Sequence, residues 1–274
     1  MKIELHAREI EFDEHAPIDI SIPLDFNGSQ PNAYGVEPAS SRACEYGELI
    51  GDTRRGGSCN FEEVTLIPHC NGTHTECVGH ITNERIALTD CLRDVFIPAS
   101  LLSVETVPPT GTKETYEVEF GEYDRLITRE TLERQMTLHF GTAARTGRSA
   151  LILRTLPNDE VKLRQAYGSE AEVAPYFTID AMKDIVDRGF EHLLVDLPSV
   201  DRLFDRGKLA NHRIFWNIDL GSFETNDRTR RNRTITELIY VPNNVEDGDY
   251  LLNLQIAPFA SDASPSRPIL FRLK

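Results

Sequence analysis

Between Pro68 and His80 the chain sets three imidazoles (His69, His74, His80), two thiols (Cys70, Cys77) and one carboxylate (Glu76) within thirteen positions. These are the side chains that bind divalent transition metals, and the small residues Asn71-Gly72-Thr73 among them let a bent backbone aim several donors at one point. Ligands must be held rigidly to be useful, so the segment asks for a fold that anchors it on a core element. Its spacing has a definite geometry. His74 and Glu76 are two apart and would share one face of an extended strand, and Cys70 and His80 have the same parity, so that four donors face one pocket. A cation held there lowers the pKa of bound water from about 15.7 to about 7, and a donor that does not ligate can move protons. On residues alone the segment points to the active site of a metal-dependent hydrolase.

The rest of the composition narrows the partners. A chain of 274 residues, 40% of them hydrophobic, can bury a large core, and no linker or repeat divides it, so one mixed α/β domain over residues 1–274 is expected. The net charge of -15, from 44 acidic against 29 basic residues, argues against nucleic acid and anionic membrane surfaces and leaves a small-molecule substrate as the expected partner. Apolar runs are far shorter than a membrane span, and the start Met1-Lys-Ile-Glu-Leu-His6 lacks the basic-then-apolar order of a signal peptide, so a soluble cytoplasmic protein is expected. On that expectation the sequons at Asn27, Asn71 and Asn232 carry no meaning. Five cysteines, an odd number, do not suggest a disulfide framework, and Cys44 and Cys91 read as small buried hydrophobes. His6, His15, His139 and His192 read as ordinary surface or hydrogen-bonded histidines.

The N-terminal half reads as strands and loops. Ile18 to Ile22 alternates at period two before Pro23, a long loop runs from Asp25 to Ser41, and Glu63 to Ile67 reads as a strand feeding the donor-rich segment. The C-terminal half reads as α/β. Thr178 to Gly189 has a Thr cap, apolar residues at Ile179, Met182, Ile185 and Val186, and a closing glycine, which predicts a helix. With Ala150 to Arg154 before it and His192 to Asp196 after it, the order is strand, helix, strand, a βαβ unit. Thr234 to Val241 reads as a further strand, and Tyr250 to Ile256 with Ile269 to Phe271 as a closing hairpin.

Gly72-Thr-His74, an acid two positions later and His80 together resemble the HxGTHxDxPxH signature of the cyclase family that includes kynurenine formamidase and isatin hydrolase. The resemblance continues in order along the chain: Asp19-Ile-Ser-Ile-Pro23 is similar to the family's opening strand, Val195-Asp-Leu-Pro-Ser-Val-Asp201 to its Asp-x-Pro-Ser-x-Asp element, Leu209-Ala-Asn-His212 to its downstream histidine and Glu237 to its late glutamate. The resemblance implies a mixed-sheet, swivelling β/β/α fold and a homodimer or homotetramer. It implies a divalent metal, zinc or manganese, held by His74 and Glu76 with Cys70 in the first-histidine position, His212 and Glu237 completing a second site, and His80 as general acid or base. The implied reaction is hydrolysis of a C–N amide bond in an N-formyl arylamine or cyclic amide. The alternatives are ring formation by dehydration and a metal-binding relative that has lost catalysis.

The chain departs from the pattern at Cys70, where a one-residue insertion would instead bring in His69; at Glu76, one methylene longer than the usual aspartate; and at Val78, where many members have proline. A Cys70 thiolate would favour zinc over manganese. Leu220 to Arg233, with Arg228, Arg230, Arg231 and Arg233, reads as an inserted solvated loop, with the alternative that one arginine grips a substrate carboxylate. Asp196 and Ser199 are candidates for orienting ligands, though a turn around Pro198 explains them equally well. Tyr34, Phe61 and Trp216 are candidates for an aryl pocket, with the core as their default place.

Overall fold

Apolar runs of strand length, flanked by helical periodicity, become strands covered on both faces when a parallel sheet has helices packed on it. Ala150-Leu-Ile-Leu153 and His192-Leu-Leu-Val195 do so here. The computed structural model describes residues 1–5, 7–141, 150–169 and 173–274, and His6 lies outside the described residues. The main sheet contains β1 (Ile18–Asp19), β2 (His74–Glu76), β3 (Phe96–Glu105), β4 (Ala150–Leu156), β5 (His192–Val195), β6 (Thr234–Glu237), β7 (Gly248–Ile256) and β8 (Ala263–Arg272). Its order is β7-β3-β4-β5-β6-β2-β8-β1, and β7 also pairs with β8, so all but β1 form a closed ring. β3, β4, β5 and β6 run parallel in turn; β2, β7 and β8 pair antiparallel to their neighbours. The domain is mixed α/β, as expected.

Alternation along these strands divides the core. Ala150, Ile152 and Leu194 join Ile97, Leu101, Tyr250, Leu252 and Leu270 in the barrel interior. Leu151, Leu153, Leu193, Val195 and Ile235 point the other way and meet the helices α1 (Arg129–Phe140), α2 (Ile179–Asp187) and α3 (Ala210–Trp216). α2 starts where its sequence says it should: the Thr178 hydroxyl accepts from the Ala181 amide at 3.1 Å, Met182, Ile185 and Val186 are buried, and Gly189 follows with φ 80°. The β4, α2, β5 order with parallel strands is the predicted βαβ unit.

Three expectations change. Glu62–Thr65 is a strand, but it pairs with Ser40–Ala43 in an exposed ribbon outside the barrel, and Pro68–Cys70 turns the chain before β2 begins. The run expected to continue to Val241 leaves the ladder after Glu237 because Leu238 is left-handed, φ 55°. Cys44 is half-buried rather than buried, whereas Cys91 is buried, and all five cysteines are free. No helix among the described residues is long and apolar enough to cross a membrane.

Candidate metal centre

β2 is three residues long and lies between β6 and β8, and this placement builds the site. Thr75 points one way, its hydroxyl 2.8 Å from that of Thr236, so His74 and Glu76 share the other face, as the spacing predicted. On β6, Glu237 is directly opposite His74; on β8, Ala263 is opposite Glu76, which puts Asp262 at the strand's end. The Asp262 carbonyl accepts the Cys77 amide at 3.0 Å. A 3-10 turn, Val78–Ile81, then carries His80. Gly79 is required there, since a Cβ would come within 2.2 Å of the Ile86 carbonyl oxygen and 3.1 Å of Asp262 Cβ.

Three overlapping groups of donor atoms result, each within 4.8 Å: His74 with Glu76 and Glu237, Glu76 with His80 and His212, and His69 with His80 and Asp262. Glu76 is central. One carboxylate oxygen is 2.9 Å from His212 Nε2; the other is 3.4 Å from His69 Nε2 and 3.9 Å from His80 Nε2. His74 Nε2 lies 3.5 Å from Glu237 Oε2, and the other Glu237 oxygen accepts the Val200 amide at 2.8 Å. His69 and His80 stack with ring centres 4.4 Å apart, and Asp262 Oδ2 is 3.0 Å from His69 Nε2 and 3.6 Å from His80 Nδ1.

Electrostatics explain how so many charges share the space. Burial alone would raise the Glu76 pKa, but His80, His212 and His69 hold it well below the usual carboxylate range. Hydrogen bonding to His69 and His80 keeps Asp262 low as well, against its burial. Burial would depress His212, but Glu76 and Asp201 outweigh it and raise its pKa well above the ordinary value; His69 is raised too, by Asp262 and Glu76 against its burial.

The donor set fits a divalent cation. His74 Nδ1 lies 3.0 Å from the Gly72 carbonyl, which can only accept, so Nδ1 carries the proton and the Nε2 lone pair faces Glu237; Nε2 is buried without a hydrogen-bond partner. His212 is set in the same way, Nδ1 against Asp201 at 2.6 Å and Nε2 toward Glu76. The 3.4 and 3.5 Å separations from His69 to Glu76 and from His74 to Glu237 are long for N–H···O bonds. They are close to the roughly 3.3 Å that separates two ligands held at about 2.0–2.1 Å on one tetrahedral ion.

Of the residues singled out in the sequence, His74, Glu76, His80, His212 and Glu237 come together, and Cys70 does not join any of the donor groups. The turn after Ile67, closed by the Asn71 side-chain oxygen on the Ile67 amide at 2.6 Å, sends His69 to Glu76 instead. Burial, with Glu237 nearby, pushes the Cys70 thiol up. Because Cys70 stands outside the donor groups, the argument for zinc from sulfur does not carry over. Asp196 is engaged elsewhere: it is buried on Lys162, 2.8 Å, and on the Thr155 amide and hydroxyl, while Ser199 accepts the Asp201 amide. Asp201, at the end of the same element, is the residue that orients His212. Of the aromatics, Trp216 is in the core with its ring 5.5 Å from that of His212, Phe61 lies by Gly51, and Tyr34 remains partly exposed against Phe204, its phenol pKa raised by burial and by Glu237. His192, read as ordinary, is 1% exposed.

Asp262 and Asp201 were missed because no short spacing links them to the histidines they face. The only signal for Asp201 was its place in the Asp-x-Pro-Ser-x-Asp element.

Known proteins resemble the chain in sequence and in fold. The chain is 26% identical over 260 residues to a kynurenine formamidase of Bacillus cereus, covering 92% of this chain and 96% of that protein. The fold is similar to that of isatin hydrolase A from Labrenzia aggregata, with a TM-score of 0.61, 12% identity and 94% of each chain covered. It is also similar to that of a protein from Bacillus stearothermophilus described as a "predicted metal-dependent hydrolase", with a TM-score of 0.56, 15% identity, and 93% and 98% covered. A family model described as "Putative cyclase" matches residues 18–202, and the chain belongs to that cyclase family.

Proposed function

We propose that this chain is a metal-dependent hydrolase of C–N amide bonds, acting on an N-formyl arylamine or a cyclic amide, in the manner of a kynurenine formamidase. The observation that carries the reading is the meeting of two donor groups at Glu76, with a third beside them through His80, in a chain 26% identical to a kynurenine formamidase. His74, Glu76, Glu237 and His212 would hold the cation, with His69 rather than Cys70 as the further imidazole. The two Glu76 oxygens face different histidines, so this carboxylate would be a ligand shared between the donor groups. A bound divalent cation, zinc or manganese, supplies Lewis acidity toward the amide carbonyl and lowers the pKa of water. Imidazole and carboxylate donors suit both metals.

The chain's own groups do the rest. Asp201 fixes the His212 tautomer, and the Gly72 carbonyl fixes that of His74. His80 is partly exposed at the edge of the cluster, its Nδ1 side toward Asp262 and its Nε2 side inward. It takes the proton of the attacking water and delivers it to the leaving nitrogen. Tyr34 and Phe204, packed edge to face at 6.1 Å, offer an apolar wall for an aryl group. The reading includes a cytoplasmic homodimer or homotetramer. The exposed Tyr46, Leu49, Val64 and Ile67, on and beside the ribbons before β2, are the surface a second copy would cover.

The test is hydrolysis of N-formylkynurenine, isatin and related cyclic amides by metal-loaded and chelated protein, with His80→Ala alongside. Turnover that needs metal, and a loss of about 100-fold or more in His80→Ala with metal content unchanged, is expected. Loss of metal from that variant would make His80 a ligand. No hydrolysis by loaded protein would remove the reading and favour ring formation or a non-catalytic relative.

A further inference from the structure

Asp262 heads β8, just before Ala263, which pairs with Glu76. The stretch that carries His80 is tied to this corner on both sides: the Cys77 amide donates to the Asp262 carbonyl at 3.0 Å, and the Leu88 amide to the Ser261 carbonyl at 2.7 Å. Between those ties Gly79 lies directly against the Asp262 side chain, close enough that a Cβ would meet Asp262 Cβ at 3.1 Å. The carboxylate is itself oriented. The Ser261 hydroxyl donates to Oδ1 at 3.2 Å, and Oδ2 is turned to two imidazoles, 3.0 Å from His69 Nε2 and 3.6 Å from His80 Nδ1. His80 Nε2 points the other way, 3.9 Å from Glu76 Oε2.

We infer that Asp262 is the positioning residue of His80: its carboxylate keeps a proton on Nδ1 and so leaves the Nε2 lone pair facing the cluster. The inference deepens the amide-hydrolase reading and rests on it for the use of that lone pair. A neutral imidazole can take a proton from water only at the nitrogen that carries none, and a carboxylate beside the other nitrogen selects that tautomer. When Nε2 takes the proton of the attacking water, the ring becomes a cation with the Asp262 charge beside it. The same Nε2 proton then goes to the nitrogen of the breaking C–N bond. The Nδ1 proton stays on the ring throughout, and Asp262 stays ionised. The 3.6 Å separation is longer than a made hydrogen bond, and the same oxygen lies closer to His69. His69 Nε2 is the nitrogen that would hold a cation. A ligating nitrogen has no proton to offer, which leaves Oδ2 to His80, and such contacts commonly tighten in the working complex.

The experiment reads the imidazole itself. Zinc-loaded wild type, Asp262→Ala and Asp262→Asn are prepared with isotope-labelled histidine, and NMR shows which ring nitrogen of neutral His80 carries the proton. The His80 signal is the one missing from His80→Gln. Wild type is expected to hold the proton on Nδ1. In both variants it should move to Nε2 or divide between the two nitrogens, with zinc content and circular dichroism unchanged. Hydrolysis of N-formylkynurenine is expected to lose about 100-fold or more in kcat while KM stays within about threefold. Asn keeps the size of the side chain, so an effect shared with Ala is not one of packing. The same His80 tautomer in all three proteins would overturn the inference, as would an unchanged kcat. Loss of zinc from the variants would overturn it too, by making Asp262 a ligand. The tautomer is read without turnover, so a wild type inactive toward every amide would end the hydrolase reading while the NMR result still decides what Asp262 does to His80.

Discussion

Asp201 fixes a ligand from outside the cluster. Its carboxylate takes the His212 Nδ1 proton at 2.6 Å and the amides of Asn211 and His212, so one side chain both caps α3 and sets the imidazole's tautomer. Asp201→Asn keeps an oxygen for the helix end but removes the charge. Metal affinity should fall by about 10- to 100-fold with little change in fold, as read by metal titration and circular dichroism. The same residues give the metal-free protein a pH signature. His212 and His69 have raised folded pKa values, so their contribution is full below about 6.5 and is lost as pH rises through those values. Glu76 and Asp262 are depressed, so theirs is present above about 4 and is lost as pH falls through the carboxylate range. Melting temperatures of chelated protein should therefore decline from near neutrality toward alkaline pH, whereas a bound cation replaces the proton and flattens that decline. At this scale the sequence was legible where donors share one strand, as His74 and Glu76 do. It was not legible at Cys70, because strand parity does not extend through a turn. Nor was it at Asp262, which meets His69 only through the pairing of β2 with β8.

Elements with a cap, a period and a stop could be read directly: α2 has all three, and the strands around it are apolar enough to be buried on both faces. β3 was not read because Pro98, Ser100 and Ser103 interrupt its pattern, although Pro98 fits opposite Leu251 and Ser103 binds Asp247. α1 was not read because it buries only Thr131, Leu132 and Met136, leaving little apolar stripe to see. The arginine-rich loop is a loop, as expected, but a clamped one. Arg231 pairs with Glu84 through both nitrogens, Arg230 binds the Ile214 and Phe215 carbonyls at the end of α3, and Arg233 lies over the Phe215 ring. Since Glu84 lies in the segment after His80, the loop holds that segment in place. Replacing Arg230, Arg231 or Arg233 with Ala should leave KM within about twofold. Arg231→Ala should cost at most about 1 kcal/mol, because its ion pair is exposed. A large rise in KM for any of them would restore the substrate-gripping alternative.

Closure of the ring by β7 on β8 makes every barrel strand depend on its neighbours, so residues 1–274 should melt in one cooperative transition, with hydrolysis lost over the same temperature range. Calorimetry together with residual activity after heating would show this; two separated transitions would mean two folding units. The position of β2 also has a consequence for synthesis. Thr75 bonds across to Thr236, 161 residues later, and its strand is closed on the other side by β8. A ribosome delivers the donor-rich segment well before its two flanking strands, the nearer of them 161 residues on. The nascent chain must therefore carry unsatisfied imidazoles and thiols over that interval, and specific metal loading can begin only after the β7–β8 hairpin has emerged.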